Sequence, residues 1–131
     1  EVTAPVIDNP TTGNPEALPL IEIRPEVSDW FDYRAKYEIG GSLEICPAPI
    51  SAEWTAECQR IGLLAHRLLG CRGMSRTDIL IDETGSCHVV ETNTIPGFTE
   101  TSLLPQAAAE AGYSYSALVD MLIQEALRRS K

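Results

Sequence analysis

Hydrophobic and polar positions follow three different spacings along the chain. Val2 to Asp8 (VTAPVID) is short and mostly apolar, which predicts a strand. Pro5 within it suggests an edge position, because proline cannot donate to a ladder. Asn9 to Leu18 (NPTTGNPEAL) is a turn-rich connector, and Pro19 to Pro25 (PLIEIRP) is a second strand, the partner in a long-looped hairpin. The stretch DWFDYRAKYEIGGSLEICPAPI has no clean period and reads as a loop carrying aromatics and a lysine. Ser51 to Gly70 has helical spacing, with Trp54, Cys58, Ile61, Ala65 and Leu68 on one stripe, Ser51 able to cap and Gly70 able to stop it. His66 lies beside that stripe and reads as a packed helix residue, not a catalyst.

Thr77 to Asp82 and Cys87 to Thr92 are strands around the turn Glu83-Thr84-Gly85-Ser86. Pro105 can start a short helix that Gly112 ends. Ser114 or Ser116 can cap a last helix, where Leu118, Val119, Leu122, Ile123 and Ala126 face one way. The order β-β-loop-α-β-β-loop-α-α predicts an α+β fold with helices packed on a sheet, not repeated βαβ units.

Length and charge narrow the function classes. The 131 residues suit one domain, and 44% hydrophobic with 22% charged residues argues against disorder. No apolar run approaches a membrane span, and the opening EVTAPVID has neither the basic start nor the apolar core of a signal peptide. The net charge of -9, with Lys36 and Lys131 the two lysines, argues against nucleic-acid and anionic-membrane partners. The acidic surplus serves solubility, or some carboxylates await a cation. The four cysteines form no C-x-x-C pair, and with two histidines they give no zinc spacing. Reduced thiols in a cytosolic protein are the expectation.

The second hairpin carries the chemistry. A two-residue turn at Thr84-Gly85, or a four-residue loop with Asp82 and Cys87 as the last pair, places Asp82 opposite Cys87, Ile81 opposite His88, Leu80 opposite Val89 and Ile79 opposite Val90. It then places Asp78 opposite Glu91, Thr77 opposite Thr92 and Arg76 opposite Asn93. Strand side chains alternate, so Arg76, Asp78, Glu91 and Asn93 share one face. Opposed carboxylates with Cβ atoms about 5 Å apart repel unless a cation lies between them. Asp, Glu and an Asn carbonyl are hard oxygen donors suited to Mg²⁺ or Mn²⁺, and Arg76 is a fixed cation for a phosphate or an oxyanion. A plain ion network bridged by Arg76 is the competing reading. The loop beyond, Thr94 to Thr99 (TIPGFT), has a turn at Pro96-Gly97, and Gly97 permits close approach of a ligand. Thr99, Thr101 and Ser102 offer hydroxyls and N–H groups just before a helix, where anions are favoured.

RTD (Arg76 to Asp78) and ETNTIPGFTETSLLP (Glu91 to Pro105) resemble the C-terminal part of the D-alanine–D-alanine ligases of the ATP-grasp superfamily. The similarity extends through FDYRAKY, CPAPI, LLGCRGMSR and GYSYSALVDMLI, nearly the whole chain. It implies an ATP-grasp C-terminal subdomain spanning residues 1–131, mainly antiparallel sheet with helices on it. The implied N-terminal substrate part and central ATP-binding part lie outside this sequence. It implies ATP-dependent formation of D-alanyl-D-alanine through an acyl phosphate, for peptidoglycan synthesis in the cytoplasm. ATP, two Mg²⁺ (or Mn²⁺) and D-alanine are the implied ligands, and a homodimer the usual state.

By residue-by-residue carry-over, Asp78 and Glu91 hold one metal ion, and Glu91 and Asn93 the second. Arg76 stabilises phosphoryl oxygens, and backbone near Gly97 helps form the oxyanion site. Ser102 and Leu103 hold the acceptor carboxylate, and Glu1 contacts the ATP ribose. Lys36 and Tyr37 lie on a closing loop, Lys36 near the γ-phosphate, and Tyr37 goes with D-alanine over D-lactate as acceptor. Ser75 replaces a residue often Gly or Ala in the family, a small change, and the connector at 9–18 is longer than usual. With half the ATP clamp outside it, the chain alone is expected to be inactive. The alternatives are a non-catalytic binding domain derived from the same fold, and an ATP-grasp ligase for another amino acid.

Overall fold

The computed structural model describes residues 1–25 and 42–130. Its strands are β1 (Val2–Asp8), β2 (Pro15–Ala17), β3 (Ile21–Pro25), β4 (Ser42–Ile45), β5 (Met74–Ile81) and β6 (Cys87–Asn93). Its helices are α1 (Ala52–Leu68), α2 (Leu103–Glu110) and α3 (Tyr115–Arg129). The strands form one antiparallel sheet in the order β4-β3-β1-β5-β6, with β2 also on β1. This is the α+β arrangement expected, with two short strands, β2 and β4, in stretches that read as connector and loop.

Pro5 does not mark an edge, because β1 lies between β5 on one side and β2 and β3 on the other. β1 pairs with β3 at Val2 and Thr3, then with β2 from Val6 to Asp8. Pro5 falls at the switch. Its carbonyl accepts from the Leu18 N–H at 3.0 Å. The Leu18 carbonyl, which a residue with an N–H at position 5 could have served, accepts instead from the Gln59 side-chain amide of α1 at 3.0 Å. A central proline is tolerated because a side chain from the covering helix replaces the donor that proline lacks.

Helices cover both faces of the sheet. Val2, Ala4 and Ile79 pack with Cys58 of α1. Ile7 and Ile21 pack on the opposite face with Leu104, Ala107 and Ala108 of α2 and Leu118 of α3. The buried positions of α1 are Cys58, Gly62 and His66. The expected stripe was therefore rotated: Trp54 and Leu68 are exposed, and Leu68 is 76% so. Gly62 explains the rotation. A Cβ added there would lie 3.0 Å from the Ala4 Cβ, so the helix approaches β1 where both surfaces are smallest. Ser51 caps α1, accepting from the Trp54 N–H at 3.2 Å, and Gly70 lies just beyond its end with φ of 65°.

On the other face, α2 starts at Leu103, two residues before Pro105, and Ser114 caps α3, accepting from the Ala117 N–H at 3.1 Å. Of the apolar residues expected to face one way on α3, Leu118 is fully buried and Ile123 is half exposed.

Candidate active site

Arg76 pairs with Asn93, Thr77 with Thr92 and Asp78 with Glu91, as the alternation predicts. The pairs nearer the turn differ by one residue: Ile79 faces Val89, Leu80 faces His88 and Ile81 faces Cys87. Two features of the hairpin offset each other. The turn is longer than two residues, because Asp82 Oδ1 gathers the N–H groups of Thr84 (2.9 Å) and Ser86 (3.0 Å) and the Thr84 hydroxyl (2.6 Å). These bonds, with one from His88, hold the Asp82 carboxyl far below the usual carboxylate range. A bulge then absorbs Val90 between the Asp78 and Ile79 pairs, so the register of the last three pairs is recovered.

Asp78 is 1% exposed. Arg76, 18% exposed, closes a fork on it, with Nε 3.1 Å from Oδ1 and Nη2 3.2 Å from Oδ2. The Thr3 hydroxyl on β1 donates to Asp78 Oδ1 at 2.6 Å. A buried carboxylate is tolerated only with such charge-assisted bonds. Glu91 is exposed, and the Asn93 amide donates to its Oε1 at 3.2 Å. The ion pair of the competing reading thus forms between Arg76 and Asp78, on one strand, and among the described residues it does not bridge to Glu91.

Arg76, Asp78 and Glu91 line a cavity of about 100 Å³ together with Glu1, Ile23, Ser42, Glu44 and Leu103. Glu1 and Leu103, two residues expected at the site from opposite ends of the chain, therefore meet there. Asn93 adjoins the cavity through Glu91 without lining it. Lys36 and Tyr37 fall outside the described residues.

Among the described residues, no three His, Cys, Asp or Glu side chains form a metal-holding group. The donor set nevertheless fits Mg²⁺, which is usually held by one or two carboxylates together with waters and substrate phosphates. Asp78 and Glu91 are those two carboxylates, directly opposed across the ladder, and Asn93 adds an amide oxygen of the same hard type.

The loop after β6 bends at Thr94-Ile95 instead of at Pro96-Gly97, and Pro96 is buried. The Ser102 hydroxyl turns back into this loop, accepting from the Thr99 N–H at 2.9 Å and lying 2.8 Å from the Thr99 hydroxyl. Gly97 leaves room for it: a Cβ there would sit 3.3 Å from Ser102 Oγ. Ser102 is the N-cap residue of α2 but makes no side-chain cap bond. The helix start beside the cavity therefore carries no capping hydroxyl, which suits an incoming anion.

Three supports of the site escaped sequence reasoning. The Tyr115 hydroxyl on α3 donates to the Phe98 carbonyl at 2.9 Å, and the two rings pack at a tilt of 34° with centroids 5.5 Å apart. Gln106 donates to Glu44 and to the Thr101 carbonyl, both at 2.7 Å, fixing α2 against β4. Thr3, which holds Asp78, had no signal beyond its place in an apolar strand.

His66 lies behind the sheet, not in the cavity. Its Nδ1 is 2.7 Å from Ser75 Oγ and its Nε2 3.2 Å from Asp8 Oδ1. Asp8 Oδ2 also accepts from the Gly73 N–H at 2.6 Å. Serine, histidine and aspartate are in line here, but Ser75 is fully buried under α1, so the constellation joins α1 to β1 and β5. The packed role expected for His66 holds. The serine hydroxyl is not a neutral departure from Gly or Ala, since it supplies a partner for a buried ring.

The family model for the C-terminal part of D-Ala–D-Ala ligases matches residues 1–124. The chain belongs to that family. It is 52% identical to the D-alanine–D-alanine ligase of Syntrophobacter fumaroxidans, over 97% of this chain and 40% of the relative. It is similar in structure to the D-alanine–D-alanine ligase of Bacillus anthracis complexed with ATP, with a TM-score of 0.77, 30% identity, and coverage of 97% of this chain and 38% of that one. The VanG D-Ala:D-Ser ligase of Enterococcus faecalis has a TM-score of 0.73 at 32% identity, over 93% of this chain and 34% of that one. The chain spans about two-fifths of the length of the curated relatives it matches. No helix among the described residues is long and apolar enough to cross a membrane.

Proposed function

We propose that this chain is the C-terminal catalytic part of an ATP-dependent D-alanine–D-alanine ligase. One observation carries the reading: in a chain of this family, Arg76, Asp78 and Glu91 share one cavity with Glu1 and Leu103. The remaining substrate and ATP-binding parts would come from the N-terminal portion of the same enzyme, which the partial coverage of the relatives supports. ATP as co-substrate is supported by the ATP complex of the Bacillus anthracis relative. A cytoplasmic homodimer is the assembly we propose on the resemblance alone.

In this reading Asp78 and Glu91 hold one Mg²⁺ or Mn²⁺, and Glu91 and Asn93 the second. When bound, the metal ions neutralise phosphate charge during transfer to the first D-alanine carboxylate. Arg76, held in place by its fork on Asp78, presents its remaining N–H donors to the phosphoryl oxygens and to the oxyanion of the addition step. Ser102, Leu103 and the open start of α2 receive the carboxylate of the second D-alanine, so that its amine faces the acyl phosphate. Backbone near Gly97 completes the oxyanion site, and Glu1 holds the ribose. On the resemblance, Lys36 is assigned to the γ-phosphate and Tyr37 to the choice of D-alanine over D-lactate as acceptor; both lie outside the described residues.

The metal assignment is tested on the 131-residue chain itself. Titration with Mn²⁺, read by water-proton relaxation, should show Glu91→Gln binding at least about tenfold more weakly than the native chain. Equal affinity would sink the metal assignment. The 131 residues by themselves, without the N-terminal portion proposed above, should show no D-alanine-dependent ATP hydrolysis.

A further inference from the structure

Cys58 and Cys87 are not part of the proposed site, yet they are the one pair of cysteines whose sulfurs the structure brings into contact among the described residues. Their Sγ atoms lie 3.7 Å apart, one from the middle of α1 and one from the first residue of β6. They are 29 positions apart in sequence, and nothing in their spacing announces the meeting. A disulfide needs the sulfurs about 2.0 Å apart, so the two atoms, already in van der Waals contact at 3.7 Å, must approach further for the bond to form. Cys58 is completely buried, whereas Cys87 is partly exposed. Cys46 and Cys71 have no comparable partner among the described residues and belong to other parts of the fold.

We propose that Cys58 and Cys87 form a reversible redox site, a dithiol that a peroxide converts into a disulfide tying β6 to α1. The order of events follows from access. The Cys87 thiol gives up its proton, its sulfur attacks one peroxide oxygen, and the O–O bond breaks; Cys87 becomes a sulfenic acid, and the departing hydroxide takes up that proton and leaves as water. The Cys58 sulfur then attacks the Cys87 sulfur. The S–S bond forms, the S–O bond breaks, and a second water departs with the Cys58 proton. Two thiols are oxidised and one peroxide is reduced to two waters. Burial and the neighbouring Cys87 push the Cys58 thiol up to about 12, which keeps it protonated and makes it the resolving partner instead of the first to react.

The consequence lies in β6. Among the described residues this strand ends the sheet, paired through its ladder with β5, and its bulge at Val90 separates Cys87 from Glu91 and Asn93. Trp54, one turn before Cys58, already lies against Gly85 of the same hairpin: a Cβ on Gly85 would be 2.8 Å from the indole nitrogen. A covalent bond at Cys87 would fix the root of the strand that carries the exposed carboxylate. The inference rests on the thiol geometry and stands whether or not the ligase reading holds.

The test uses the 131-residue chain treated with hydrogen peroxide, quenched with a maleimide, and digested for mass spectrometry. The expected result is a Cys58–Cys87 linked peptide, lost on reduction with dithiothreitol, while Cys46 and Cys71 remain open to maleimide. The melting temperature should rise on the order of 10 °C on oxidation, because the bond closes a long loop of the unfolded chain. Cys87→Ser, at a partly exposed position outside the proposed ligand set, should fold and show no such rise. Oxidation that stops at Cys87 without a link, links made chiefly by Cys46 or Cys71, or a rise that persists in Cys87→Ser would each overturn the proposal.

Discussion

Replacing Arg76 by alanine is expected to destabilise the fold by about 3 kcal/mol, on the order of 10 °C in melting temperature. The cost arises at Asp78, which is 1% exposed and would lose the two-point fork of the guanidinium while keeping the Thr3 hydroxyl bond. Removing one member of a buried pair leaves the other uncompensated, and that penalty exceeds the net value of the pair. Asp78→Asn in the Arg76→Ala background should recover most of the loss, since the amide carries no charge to strand. Thermal melting of the four chains in the cycle measures the coupling. A coupling below about 0.5 kcal/mol would place the pair among surface ion networks of little consequence. In the full-length protein, the same substitution should also lower the rate of dipeptide formation about 10²- to 10³-fold, the usual effect of removing one donor to a developing oxyanion.

His66→Ala should cost a similar amount, about 3 kcal/mol, for a different reason. It empties a buried site and leaves the Ser75 hydroxyl and one Asp8 oxygen without the ring that joins them. Ser75→Ala removes one bond of the same group and should cost about 1 kcal/mol, with the two effects less than additive because both act on one network. Chemical denaturation of the single and double variants checks both figures. Wild-type stability in His66→Ala would mean that the network adds nothing to the docking of α1.

These two groups show which parts of the molecule were legible before the fold was known. Side-chain alternation in two neighbouring strands was enough to bring Arg76, Asp78, Glu91 and Asn93 to one face, because period two is rigid once the pairing is known. The pairs toward the turn were misplaced because the Asp82 side chain organises a longer loop, and the bulge at Val90 hides that difference from the far end. The two deviations cancel at the site, so the correct pairs were reached through a turn that does not exist.

The face of α1 was misjudged because counting apolar residues gives no weight to glycine. Gly62 is buried for what it lacks, and His66 for its partners, neither of which a hydrophobic stripe records. Pro5 was misplaced for a related reason: its missing N–H is offset by Gln59, 54 residues away in sequence, counted from position 5 to position 59. Long-range side-chain bonds of this kind also underlie Thr3 on Asp78, Tyr115 on Phe98 and Gln106 on Glu44. The longer elements follow from local spacing, whereas the short strands β2 and β4 and each cross-element bond had to wait for the fold.

The central claim is that Glu91, opposite Asp78, serves ATP-dependent joining of two D-alanines. The most direct measurement is D-alanyl-D-alanine formation from ATP and D-alanine by the full-length protein, native and Glu91→Gln, at saturating Mg²⁺. The account predicts dipeptide from the native protein and a loss of at least about 10²-fold in the variant, with melting temperature unchanged because Glu91 is exposed. A native protein that makes no dipeptide, or a Glu91→Gln variant that makes it at the native rate, would contradict the account.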